Sequence, residues 1–148
     1  MDDKVERLPI YKKALEIEKV VRHLMELVPD GNKILQHEKE YMLGDARTIC
    51  AKIAGAEGGD LYDIRMENAA IIRKAARELI TGLRGLEMYG YNEPDYFDLL
   101  RREMEEFRLL FIEWVAGFDK RKYIPDHWGL FDPPGVGPDD DMPDDLEL

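Results

Sequence analysis

A chain of 148 residues is long enough for one domain around a single hydrophobic core and short for two. With 45% hydrophobic and 36% charged residues it has the composition of a globular protein, and its apolar runs fall well short of the roughly 20 residues a membrane helix needs. The formal net charge of −11 opposes a general affinity for nucleic acid, whose phosphates are bound through Lys and Arg.

The opening residues, MDDKVERLPIYKK, mix acids with bases and lack the apolar stretch and small-residue cleavage site of an export signal, so a cytoplasmic location is expected. From there Ile10, Ala14, Ile17, Val21, Leu24 and Val28 recur at alternating steps of four and three, the seam of an amphipathic helix in a bundle. Pro9 suits its first turn and VPDGN ends it. A second seam is Met42, Ala46, Ile49, Ile53 and Ala56, closed by GGD. A third runs Ala69, Ile72, Ala76, Leu79, Leu83 and Leu86 and stops at YGYNEP. The fourth is Phe97, Leu100, Met104, Phe107, Phe111, Trp114 and Phe118, opened by Asn92, Glu93 and Pro94 as start signals.

No stretch alternates with period two for long enough to make a sheet. The expectation is all-α: an antiparallel up-down four-helix bundle over residues 1–118, followed by an irregular acidic C-terminal tail over 119–148. In that tail, YIPDHWGLF is too apolar to stay free in water and should dock on the bundle or on a partner. The part from about Pro133 onward should be disordered. Nine acids and three bases follow Phe118, so the tail holds −6 of the −11 and the preceding 118 residues are nearly balanced.

The second helix is rich in small residues. Gly44, Thr48, Ala51 and Gly55 form a stripe distinct from the apolar seam, and a glycine inside a helix costs about 1 kcal/mol relative to alanine. Close packing must repay that loss, against either a neighbour within the bundle or another subunit, and the helix is expected to be buried on two faces. Asp45 and Lys52, beside the seam, read as a solvated pair.

Chemistry is harder to find. The chain has no serine, and its threonines, Thr48 and Thr81, lie inside helices, which removes serine-hydrolase arrangements. The single cysteine, Cys50, lies near the apolar seam and reads as an inert core thiol; it has no disulfide partner and no Cys or His at zinc-ligand spacing. The Glu-x-x-His pairs of a di-iron bundle are absent, since Val20, Ile34 and Ile124 precede His23, His37 and His127 at that spacing. GAEGG is no phosphate loop and GPDDDMPDD no calcium loop. The expectation is therefore no enzyme, no metal, no cofactor and no small-molecule substrate. What remains is a set of basic positions: Arg73, Arg77 and Arg84 in one stripe on the third helix with Lys74 beside it, and Arg101, Arg102 and Arg108 on the fourth. Such stripes contact phosphates or the acidic residues of a protein, unless neighbours such as Glu78 and Glu105 neutralise them.

The segments LPIYKKALEI…VVRHLMELVP, YMLGDARTICAKIAGAEGG and RMENAAIIRKAARELITGLRGLEMYGYNEPDYFDLLRREMEEFRLLFIEWVAGF resemble, in order and spacing, the four-helix bundles of the Avd and ribosomal-intervening-sequence superfamily over roughly Leu8 to Phe118. Leu8–Pro9–Ile10, Leu43–Gly44–Asp45 and Trp114 carry the resemblance. It implies a homopentameric accessory variability determinant of a diversity-generating retroelement. Such a protein binds the element's reverse transcriptase and its template RNA and supports mutagenic retrohoming without being an enzyme. It would give the small stripe a use in assembly and the arginines a partner surface. The alternative within the same superfamily is an intervening-sequence-type bundle with a structural or host-interaction role and no reverse transcriptase.

Overall fold

Pro9 splits the first helical stretch in two. The residue before a proline is pushed out of helical backbone angles, and Leu8, at φ −66° and ψ 130°, separates a five-residue helix, α1 (Asp3–Arg7), from α2 (Pro9–Glu26). The computed structural model describes residues 3–140, in which α3 (Lys33–Glu57), α4 (Tyr62–Met88) and α5 (Pro94–Ala116) follow and no strand occurs. Helix α1 was not foreseen, because five residues are too few to display a period; it buries Val5 against α2 and α3.

Local chemistry fixes the ends of the long helices. Gly31 turns the chain at φ +92°, and the Asn32 side chain accepts the backbone N–H groups of Ile34 and Leu35 at 3.0 and 3.2 Å. VPDGN thus ends α2 and, through Asn32, starts α3. At α5, Pro94 occupies the first turn as expected, whereas the cap residue Glu93 makes no side-chain bond to the helix.

The four seams meet in one core, with Ile17, Leu24, Met42, Ile53, Leu79 and Leu100 among its fully buried side chains. At about 1.5–3 kcal/mol for each large apolar side chain removed from water, these residues hold the helices together. Two details depart from the expected seams. On α4 it is Ala75 that is buried, while Ala76 is half-buried; on α5, Phe111 and Trp114 are also only half-buried.

The contacts are uneven. Helix α3 lies closely along α4, and α2 packs on both α3 and α5, but α4 and α5 touch only lightly. On one side Gly82 explains this: a Cβ there would stand 2.8 Å from Met42 Cγ, so the α4 backbone rests on the Met42 side chain. On the other side Lys13 of α2 reaches Glu103 at 2.8 Å and Glu106 at 2.6 Å on α5, and Glu16 at 2.9 Å on its own helix. Those carboxylates push the Lys13 ammonium pKa up, Glu103 most strongly.

Beyond α5 the chain folds back on the start of α4. Phe118 is buried edge-on to Trp114, with ring centres 4.8 Å apart and the Arg65 guanidinium 5.7 Å from its own ring centre. Trp114 Nε1 donates to Glu57 at 2.8 Å, tying the end of α5 to the end of α3. The Lys122 carbonyl accepts the Tyr62 N–H, Lys122 Nζ pairs with Asp60, and the Ile124 N–H donates to Asp63 at 3.4 Å. The bundle therefore takes the first part of YIPDHWGLF, while Trp128 and Leu130 stay 85% and 76% exposed. Residues 133–140, within the stretch expected to be unstructured, make two turns closed by Val136 N–H to Pro133 O and Asp140 N–H to Gly137 O, each 3.1 Å. The rest of the acidic tail, 141–148, lies outside the described residues.

Glycine substitutions test this packing. Gly82→Val is expected to destabilise the fold by about 1–3 kcal/mol, because it overpacks Met42. Gly44→Ala, where an added Cβ meets nothing within 4 Å, should stabilise an isolated chain by about 0.5–1 kcal/mol. Urea denaturation of the two variants measures both signs.

Candidate partner-binding groove

The light contact between α4 and α5 leaves an open groove of about 720 Å³. Residues 73, 77, 80, 81 and 84 share one side of α4, by the three- and four-residue spacing of a helix, and 101, 104, 105, 108 and 112 do the same on α5. Arg73, Arg77 and Arg84 therefore face Arg101 and Arg108 across a floor of Ala76, Ile80, Met104, Phe107, Phe111 and Ile112. Five of the seven basic residues singled out in the sequence come together here. The other two do not line the groove: Lys74 lies 3.1 Å from Glu78, and Arg102 is exposed.

Neutralisation by neighbours holds for some arginines and fails for others. Arg108 grips Glu105 through two nitrogens at 2.6–3.1 Å, which holds the Glu105 carboxyl below the usual range. Arg101 bonds Glu87 at 2.7 Å and sits 5.9 Å from the centre of the Phe97 ring. Arg73, Arg77 and Arg84 are exposed and make no ion pair among the described residues. Glu105 is the one acid lining the groove. Three unpaired guanidinium forks above an apolar floor can bind carboxylates or phosphates bidentately and bury an apolar side chain beneath them.

The small stripe on α3, expected to pack either within the bundle or against another subunit, is largely uncovered in the single chain. Gly44 and Ala51 are exposed, Thr48 is half-buried, and only at Gly55 would a Cβ come close to anything, 3.3 Å from Asn68 Oδ1. The glycine on which the helices close is Gly82, in the partner helix. A seam of apolar residues on α3 could not reveal that, because the close approach depends on where Met42 lands on α4.

Asp45 also needs correction. It is not half of a solvated pair with Lys52; it is half-buried against Glu78 of α4. Burial first, and then Glu78, push its carboxyl up to about 7, while the hydrogen bond from Asp45 and the Lys74 ammonium hold the Glu78 carboxyl below its ordinary value. Since Glu78 is exposed, this pair sits at the surface and is not an enclosed catalytic site. Cys50 is buried and donates to Glu18 at 3.6 Å, and burial pushes its thiol up to about 12, which suits an unreactive thiol. Among the described residues no three His, Cys, Asp or Glu side chains group closely enough to hold a metal ion, and no helix is long and apolar enough to cross a membrane.

The groove's apolar floor was missed in the sequence, although a signal existed. Ile80 and Ile112, off the core seams of α4 and α5 and both lining the groove, interrupt what should be polar faces, and Ile112 is 51% exposed. No protein-family model, curated protein or solved structure matches this chain.

Asp45 yields a pH test. Its folded pKa lies above the ordinary aspartate value of 3.8, so folding favours the protonated form, and stability falls as pH rises from about 4 to about 7. Asp45→Asn should therefore raise the melting temperature at pH 8 more than at pH 4.5. An equal gain at both pH values would mean that Asp45 titrates normally.

Proposed function

We propose that this chain is a non-enzymatic accessory protein that receives an acidic partner surface along the groove between α4 and α5. The observation that carries the reading is the convergence of five arginines from two helices on one open apolar groove, three of them unpaired among the described residues. In this reading the helices form an antiparallel up-down four-helix bundle; the short connections 27–32, 58–61 and 89–93 support it, each joining consecutive helices that touch.

The resemblance supplies the partners: the reverse transcriptase of a diversity-generating retroelement, with its template RNA as a second anionic ligand, acting beside an oligomer of this chain. The net charge of −11 favours a protein surface over bare RNA as the main occupant, because RNA carries a phosphate at every nucleotide whereas a protein can set a few carboxylates in the groove beside neutral or basic surface. The stripe of Gly44, Thr48, Ala51 and Gly55, in which Thr48 is half-buried, remains a proposed close-packing surface, and Arg102 and Lys74 are proposed as outlying contacts to the same partner.

The test is a charge reversal. Arg73→Glu, Arg77→Glu and Arg84→Glu combined change exposed side chains and should leave the circular dichroism and melting temperature close to those of the wild type. Affinity for a cognate reverse transcriptase should fall at least about tenfold, the equivalent of 1.4 kcal/mol. Unchanged affinity would remove the groove from the interface, and a wild type that binds no reverse transcriptase would favour the intervening-sequence alternative.

A further inference from the structure

The groove has a chemical complement on the same chain. After α5, the Asp126 carboxylate accepts the backbone N–H groups of Trp128 at 3.0 Å and Gly129 at 3.3 Å, and His127 and Gly129 adopt left-handed backbone angles of φ 68° and 69°. A Cβ on Gly129 would press within 3.2 Å of Pro138, so this turn requires glycine there. The result is a fixed prong. It holds Leu130 out in water together with Trp128, which is more exposed than any other large hydrophobic side chain among the described residues.

The surroundings of the prong are acidic. Asp63, Glu67, Asp126 and Asp132 line the cleft beside Trp128 and Leu130, with no Lys or Arg among its lining residues. Of the three bases at its foot, Arg121 is engaged with Asp119 and Lys122 with Asp60, while Lys120 is exposed. One oxygen of Asp132 is buried without a hydrogen-bond partner among the described residues, a carboxylate still short of a donor. Apolar side chains in an acidic rim match an apolar floor in an arginine rim, in sign and in character. Because the segment is anchored to Tyr62 and Asp63 at the start of α4, the prong lies outside its own chain's groove, which begins at Arg73.

We propose that a second copy of this chain occupies the groove, with Trp128 and Leu130 on the floor between α4 and α5 and the prong's carboxylates against Arg73, Arg77 and Arg84. The volume of about 720 Å³ suits this, since pockets that enclose compact groups run about 300–1,000 Å³. Each copy offers one groove and one prong at different places, so the contact is head-to-tail and continues into a ring or a chain of copies. The inference rests on the groove being a docking site for an acidic surface, and it adds a regulation. An acidic partner must displace the prong, so partner binding and self-association compete.

The experiment is light scattering on the full chain at low salt, with two defective variants alone and mixed. The wild type should exceed the single-chain mass of 17.2 kDa in a concentration-dependent way. Trp128→Ala with Leu130→Ala, and separately Arg77→Glu with Arg84→Glu, should each remain single chains, since all four side chains are exposed and the fold persists. Mixed in equal amounts they should form a two-chain species and nothing larger, because one supplies the intact groove and the other the intact prong. A wild type that stays monomeric, a variant that associates like the wild type, or a mixture that stays at single-chain mass would each overturn the proposal. Titration of the prong variant with an acidic peptide carrying one aromatic residue keeps the two readings apart: binding lost on adding the arginine reversals supports the groove as a docking site, and no binding by the prong variant overturns it, whatever the self-association result.

Discussion

The contact between Gly82 and Met42 determines where this bundle opens. A glycine in mid-helix carries an entropic cost and gives no side-chain packing, yet here it lets the α4 backbone settle on a buried methionine of α3, at a distance a Cβ would forbid. With α4 committed to α3, and α5 held to α2 by Lys13 and its carboxylates, the two helices that complete the square are drawn to opposite sides. The edge between them is left as a groove, and the arginine rim gathers over it because of that geometry.

Electrostatics then separates the groove from the rest of the surface. A chain of net charge −11 should be a poor host for anions, but charge acts locally when it is concentrated over a low-dielectric floor. Arg101 and Arg108 are braced by Glu87 and Glu105, while Arg73, Arg77 and Arg84 remain open. Braced arginines fix the shape of one wall and unpaired ones supply the attraction. The acidic, aromatic prong at the start of α4 has the opposite composition, so one chain displays both halves of a docking pair. Held apart within a single chain, they are free to meet between chains.

Much of this was legible in the sequence because it depends on helical period. The four seams, the role of Pro9 and Pro94 and the arginine stripe on α4 follow from spacing alone, and the structure places them as the spacing implies. What was not legible depends on how helices meet. Ala75 is buried more deeply than Ala76, on the helix that Gly82 lets close on Met42 of α3. The small stripe from Gly44 to Gly55 read as packing either within the bundle or against another subunit, and within one chain only Gly55 meets a neighbour, Asn68 of α4. Asp45 seemed to pair with Lys52 along one helix, whereas its partner Glu78 comes from another. The exposure of Trp128 was hidden for the same reason, since the backbone turn at Asp126 decides which way the indole points.

The most direct test of the central claim, that the edge between α4 and α5 is the docking surface, is methyl NMR of the isoleucines during titration with an acidic peptide carrying one aromatic residue. At 17.2 kDa the chain suits the method. Ile80 and Ile112 line the groove, whereas Ile10, Ile17 and Ile49 are buried elsewhere in the core and Ile34 is exposed near the start of α3. The account predicts that the Ile80 and Ile112 methyl resonances move with the binding isotherm while those of Ile10, Ile34 and Ile49 stay in place. Binding that shifts Ile34 and leaves Ile80 and Ile112 unmoved would contradict it.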